Sequence, residues 1–169
     1  MDRIVVGVDG SAASGTALRW AADLADRLGA TLEVVQVWQY PPDLRDWEAL
    51  PSNYGFLPMV PPPERVELDV RADLAGTVMG VLGPRRACRV ERRVVEGHPA
   101  RALVEAADGA MVLVVGRRGH GGLVGLLLGS VARACSEHAA CPVVIVPRPG
   151  PADEGRPEAA SAEAGAPVS

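Results

Sequence analysis

Lysine is missing altogether from the 169-residue chain, whose 17 basic residues are all arginine. Without an ammonium group, neither the phosphate-gripping lysine of a P-loop nor Schiff-base chemistry is available. Cysteine is scarce: Cys88, Cys135 and Cys141 form an odd set without CxxC spacing. Such a set suits neither a disulfide framework nor a zinc site, and reads as buried thiols. Charge of one sign never accumulates; the net charge is −4, with acidic and basic residues interspersed, so nothing indicates an electrostatic nucleic-acid or anionic-membrane surface. Long apolar runs are also lacking. The opening MDRIVVGVDG carries Asp2 and Arg3 and only a short apolar run before Asp9, fitting neither a signal peptide nor a spanning helix. The expectation is a cytoplasmic protein without a membrane partner.

What is present is a core. With 48% hydrophobic residues, the chain can enclose one sizeable interior and needs no second domain. Apolar runs alternate with helical patterns, the signature of a parallel sheet covered by crossover helices. Strands are predicted at 4–8, 31–37, 89–95, 111–115 and 142–146, and helices at 14–28, 64–82, 99–107 and 130–139. Gly29 stands where a helix C-cap wants it, and Pro99 suits a first turn. The run 111–115 is wholly apolar and therefore central, whereas 89–95 alternates Val90 and Val94 with Arg89, Glu91 and Arg93 and belongs toward an edge. The expected fold is α/β: a Rossmann-like, open five-stranded parallel sheet of order 3-2-1-4-5 with helices on both faces.

Two segments break this rhythm. Seven prolines fall between Pro41 and Pro63, so 39–63 is expected as a long loop. Five of the six aromatics, Trp38, Tyr40, Trp47, Tyr54 and Phe56, lie in or beside it, so it packs on its own domain, covers a ligand or meets a partner. From Arg148 the composition turns to Pro, Gly, Ala, Glu and Ser without periodicity, and 148–169 reads as a disordered tail.

In a doubly wound sheet the ligand lies beyond the carboxyl ends of the strands, where the winding direction reverses. With order 3-2-1-4-5 that point separates the first and fourth strands, and sets Val8-Asp9-Gly10-Ser11 against GRRGHGGLVGLLLGS, Gly116 to Ser130. Glycines let backbone N–H groups approach an oxyanion, and Gly129-Ser130 opens a helix whose first amides lack partners. A helix dipole alone supplies only about 0.3–1 kcal/mol, against about −8 kcal/mol for micromolar binding, so other contacts must contribute. On these grounds the loop suits nucleotide binding and a tight structural connection equally.

The spacing is more specific. Gly116, two residues, Gly119, nine residues, then Gly129-Ser130 resembles the G-x2-G-x9-G-[S/T] nucleotide motif of the universal stress protein family. RIVVGVDGS, EGHPARALVEAA, LLLGSVARAC and CPVVIVP resemble that family's segments in the same order, over roughly residues 3–147. Met111 stands where members often carry aspartate. The resemblance implies a single nucleotide-binding domain over 1–147, a homodimer pairing through Val143 to Val146, and ATP or another adenine nucleotide as ligand, with or without magnesium. It also implies contacts from Gly7 and Asp9 in the first loop, from Val37 against adenine, and from Val115, Gly116, Arg118, Gly119, Gly129, Ser130 and Val131. Asp9 would bond ribose hydroxyls or lie near a nucleotide-bound divalent ion, with a turn residue capping the first helix as the alternative. Of Arg117 and Arg118, one is expected at the phosphates and the other in solvent. No metal site made by protein ligands alone is expected.

No catalytic set emerges. His120 lacks a partnered carboxylate in its own segment, His98 precedes a helix, His138 ends one, and Asp108-Gly109 reads as a turn. The expected function is thus an adenine-nucleotide-binding sensor or regulator of the universal stress protein type, not a fast enzyme. The alternatives are a slow ATPase or adenylate-transferring enzyme, and a nucleotide-free dimeric interaction protein.

Overall fold

Successive side chains of a strand point to opposite faces, so the run Ile4 to Val8, buried throughout, demands cover on both sides. The computed structural model describes residues 2–40, 61–84, 86–119 and 128–147 and shows that cover. The elements run β1 (Arg3–Val8), α1 (Ala12–Leu28), β2 (Thr31–Trp38), α2 (Pro63–Leu82), β3 (Val90–Glu96), α3 (Pro99–Ala106), β4 (Val112–Gly116), α4 (Ser130–His138) and β5 (Val143–Val146). The strands form a single parallel sheet of order β3-β2-β1-β4-β5, the doubly wound α/β arrangement expected.

Alternation along the strands divides the interior in two. Ile4, Val6 and Val8 join Leu32, Val34, Val112 and Val114 under Ala17, Leu18, Ala21 and Ala25 of α1 and Leu74 and Leu82 of α2. On the other face Val5, Val35, Leu113 and Val115 pack with Leu103 of α3 and Ala132 and Cys135 of α4. Burying each of the larger side chains contributes about 1.5–3 kcal/mol. The edges are as expected: β3 borders one side and β5 the other, while β4 lies inside between β1 and β5.

Local signals set the boundaries. Gly29 terminates α1 in the left-handed region, at φ 64°. That helix starts at Ala12, two residues before the predicted position, because Ser11 caps it by accepting the Ser14 amide at 3.2 Å. Around the proline-rich loop, Tyr40 is buried, and its hydroxyl donates to the Pro61 carbonyl at 3.1 Å, drawing the two flanks together. Trp38 meets Tyr40 edge-on at 6.5 Å. Residues 41–60, including Trp47, Tyr54 and Phe56, and the tail 148–169 lie outside the described residues.

Candidate functional site

Three strands end at the same place. β1, β2 and β4 run parallel, so their carboxyl ends bring Val8 and Asp9, Val35 and Val37, and Val115 and Gly116 to one rim. The N-terminal ends of α3 and α4 close it, adding Pro99 and Leu103 from the former and Gly129 to Ala132 from the latter. Together with Gly7, Ser14, Arg118 and Gly119 they enclose a cavity of about 280 Å³. Gly7, Asp9, Val37, Val115, Gly116, Arg118, Gly119, Gly129, Ser130 and Val131, the residues singled out from the sequence, all line it. His120, Gly121, Gly122 and Gly125 lie outside the described residues.

The glycines act in different ways. A Cβ on Gly116 would come within 3.0 Å of the Ala13 carbonyl group, so this glycine lets the end of β4 approach the first turn of α1. At Gly119 a Cβ would overlap the Asp9 Oδ2, so the absent side chain leaves room for that carboxylate. Gly7 makes space for Leu103, whose Cδ1 would lie 2.7 Å from a Cβ there. Gly129 donates its own amide to the Arg117 carbonyl at 2.9 Å, which returns the loop to the sheet. The donors that the helix start offers to the cavity are therefore the next amides. Those of Ser130, Val131 and Ala132 precede the first intrahelical bond, from Arg133 to the Gly129 carbonyl at 3.0 Å.

Asp9 stands beside Gly119, at the same end of the cavity. Its Oδ1 accepts the Ser11 amide at 3.0 Å and the Ser11 hydroxyl at 2.6 Å, while its own amide donates to Ser14 Oγ at 3.3 Å. The cap of α1 is thus Ser11, and Asp9 braces the cap, a refinement of the capping alternative. Gly10, at φ 79°, permits the tight turn between strand and helix. Ser14, buried and lining the cavity, has no signal in the motif; its spacing after Asp-Gly-Ser is the only hint. Leu103 and Pro99 carry no motif signal either, because they reach the rim through the placement of α3.

Chemically the cavity has one apolar wall, from Val35, Val37, Leu103, Val115 and Val131, and one polar end of amides, hydroxyls, Arg118 and Asp9. Arg118 lines it with its Nε buried; Arg117 donates its amide to the Val146 carbonyl at 2.8 Å. Such a site suits a flat apolar ring joined to an anion. Among the described residues no group of three or more histidine, cysteine or carboxylate side chains is placed to hold a metal ion. Cys135, behind the wall, has its thiol pushed up to about 11 by burial, so it stays protonated near neutrality. His98 stands at the start of α3 and His138 at the end of α4, as expected.

A model described as the universal stress protein family matches residues 1–147. A universal stress protein of Mycolicibacterium smegmatis is 36% identical over 144 residues, covering 85% of this chain and 45% of that protein. The chain thus spans about half the length of the curated relatives it matches. Among solved structures, a universal stress protein in complex with cAMP is 27% identical with a TM-score of 0.59, over 88% of this chain and 98% of its own. A universal stress protein of Archaeoglobus fulgidus in complex with dAMP shares the fold at 22% identity and a TM-score of 0.57, over 86% of this chain and 98% of its own.

Proposed function

The chain belongs to the universal stress protein family, and from that premise we propose that its cavity binds an adenine nucleotide, ATP among them, and that the protein acts as a nucleotide-responsive regulator in the stress response. The observation that carries this reading is the convergence of all ten residues implied by the resemblance on one cavity that has an apolar wall and is closed by the start of a helix. The base lies against Val37 and Val115, and the phosphates face Gly119 and the amides of Ser130 and Val131. The solved relative with cAMP supports an adenine ligand. Residues 1–147 act as one nucleotide-binding domain. No helix among the described residues is long and apolar enough to cross a membrane.

Binding without fast turnover is the mechanism proposed: the site holds the ligand, and its occupancy is the signal. Equilibrium dialysis with ATP and Mg²⁺ tests it, with saturable binding expected at one nucleotide per chain. Absence of binding, or binding undiminished after Gly119 and Gly129 are both replaced by valine, contradicts it. The sheet edge favours a second element of the reading. Val143, Val144 and Ile145 of β5 are only half-buried and pair with β4 on one side. We propose a homodimer through this strand, abolished by Val144→Asp; a monomer in light scattering of the unmodified chain at micromolar concentration contradicts it.

A further inference from the structure

The polar end of the cavity carries a charge pattern that bears on which nucleotide enters. Among the described lining residues only Asp9 and Arg118 are charged, one of each sign, so these side chains sum to zero. The acidic one is oriented by its neighbours. Asp9 Oδ1 takes both the amide and the hydroxyl of Ser11, the cap of a seventeen-residue helix. Its other oxygen, Oδ2, occupies the space that a Cβ on Gly119 would fill. The negative charge therefore stands against the glycine loop, at the end where phosphates belong, and away from the apolar wall.

A nucleotide brings its own charge there. At neutral pH a cyclic monophosphate carries roughly one negative charge, a monophosphate nearly two and a triphosphate roughly four. Repulsion between like charges grows as water is excluded, and each added phosphate adds to it. A divalent cation bound to the triphosphate cancels two of those charges.

We propose that Asp9 makes the site a phosphate-charge filter: without metal it takes adenine nucleotides bearing a single phosphate, and it admits ATP only as a divalent-cation complex. This deepens, and rests on, the reading of the cavity as an adenine-nucleotide site. The filter responds to free nucleotide charge as well as to nucleotide concentration, and Arg118 provides for the one phosphate that needs no metal.

Calorimetric titration of the intact protein with cAMP, AMP and ATP, each in EDTA and in Mg²⁺ at matched ionic strength, tests the proposal. In EDTA, ATP is expected to bind at least tenfold more weakly than AMP. Mg²⁺ is expected to bring the two within threefold, and so is Asp9→Asn in EDTA, since asparagine keeps an oxygen for the Ser11 bonds. ATP binding as tightly as AMP in EDTA overturns the proposal, as does a folded Asp9→Asn protein with the gap unchanged. Should that variant fail to fold, the comparison of EDTA with Mg²⁺ on the unmodified chain decides alone. Failure of all three nucleotides to bind under either condition overturns the adenine-nucleotide reading itself, and the filter with it.

Discussion

Alanine at position 119 would put a Cβ where the Asp9 Oδ2 now lies, so one of the two must move. The obstacle is the tip of an exposed side chain, and the carboxylate can rotate outward, exchanging its bonds from Ser11 for bonds to water. A hydrogen bond to a charged group contributes about 1.5–3 kcal/mol when protected, and less at an exposed position, so the expected stability loss is at most about 1 kcal/mol. For a domain of this size that lowers Tm by about 2–4 °C. Gly116→Ala is the informative contrast. Its Cβ would meet the carbonyl carbon and oxygen of Ala13 at 3.0 Å and the Ser14 nitrogen at 3.2 Å, all backbone, which cannot rotate away. Overpacking of that kind costs about 1–3 kcal/mol. Thermal melts followed by circular dichroism, with equilibrium binding of an adenine nucleotide, separate the two. Gly119→Ala is expected to melt near the unmodified protein and bind at least tenfold more weakly; Gly116→Ala is expected to lose more stability. A Gly119→Ala protein that melts as low as Gly116→Ala, or binds undiminished, refutes the assignment of Gly119 to the ligand and Gly116 to the fold.

Gly129→Ser should leave Tm unchanged or slightly raised, because φ −70° suits any residue, the nearest atoms to a Cβ lie at 3.4 Å, and α4 lacks a side-chain cap that serine would supply. Nucleotide binding should still fall, and a parallel loss of both would contradict this account. The Asp26 carboxyl is held below its ordinary value of 3.8, chiefly by the Cys88 thiol and amide and also by Arg86. A lowered folded-state pKa contributes stability that is complete above the unfolded value and lost as pH falls through the folded one. The Tm gap between the unmodified protein and Asp26→Asn should therefore be widest near neutrality and close below pH 3.8; a gap unchanged in strong acid refutes it. Glu33, buried on β2, pairs with Arg3 at 2.7 Å and Arg93 at 3.4 Å, joining three strands. Glu33→Ala should lower the urea-unfolding free energy by about 1–3 kcal/mol, and a change within error would show the pairs to be incidental.

Much of the architecture was legible because it rests on local signals. Wholly apolar 111–115 marked an interior strand, Gly29 a helix end, and the charge-alternating 89–95 a sheet edge, each strand lying within a residue of its expected bounds. The rim followed from topology, since strand order alone sets Asp9 against the glycine loop. What stayed hidden depends on contacts between distant residues. Residue type alone puts a glutamate such as Glu33 at the surface, yet arginines 30 and 60 residues away let it be buried. Helical periodicity shows that Leu103 faces inward, but only the absent side chain of Gly7 explains why it presses on β1 beside the cavity. Spacing likewise groups Gly129 with Gly116 and Gly119 in one motif, whereas its amide already serves the Arg117 carbonyl. In each case the residue type is visible in the sequence and its partner is not.

The central claim is that an adenine nucleotide occupies the cavity between β1, β4 and the start of α4. Backbone amide chemical shifts, followed by NMR while Mg·ATP and then AMP are titrated in, test it most directly. The account predicts saturable shifts at one ligand per chain, concentrated at Asp9, Val37, Gly116, Gly119, Ser130 and Val131, with the α2 amides unmoved. Shifts absent at millimolar nucleotide, or saturating at residues remote from that rim, would contradict it.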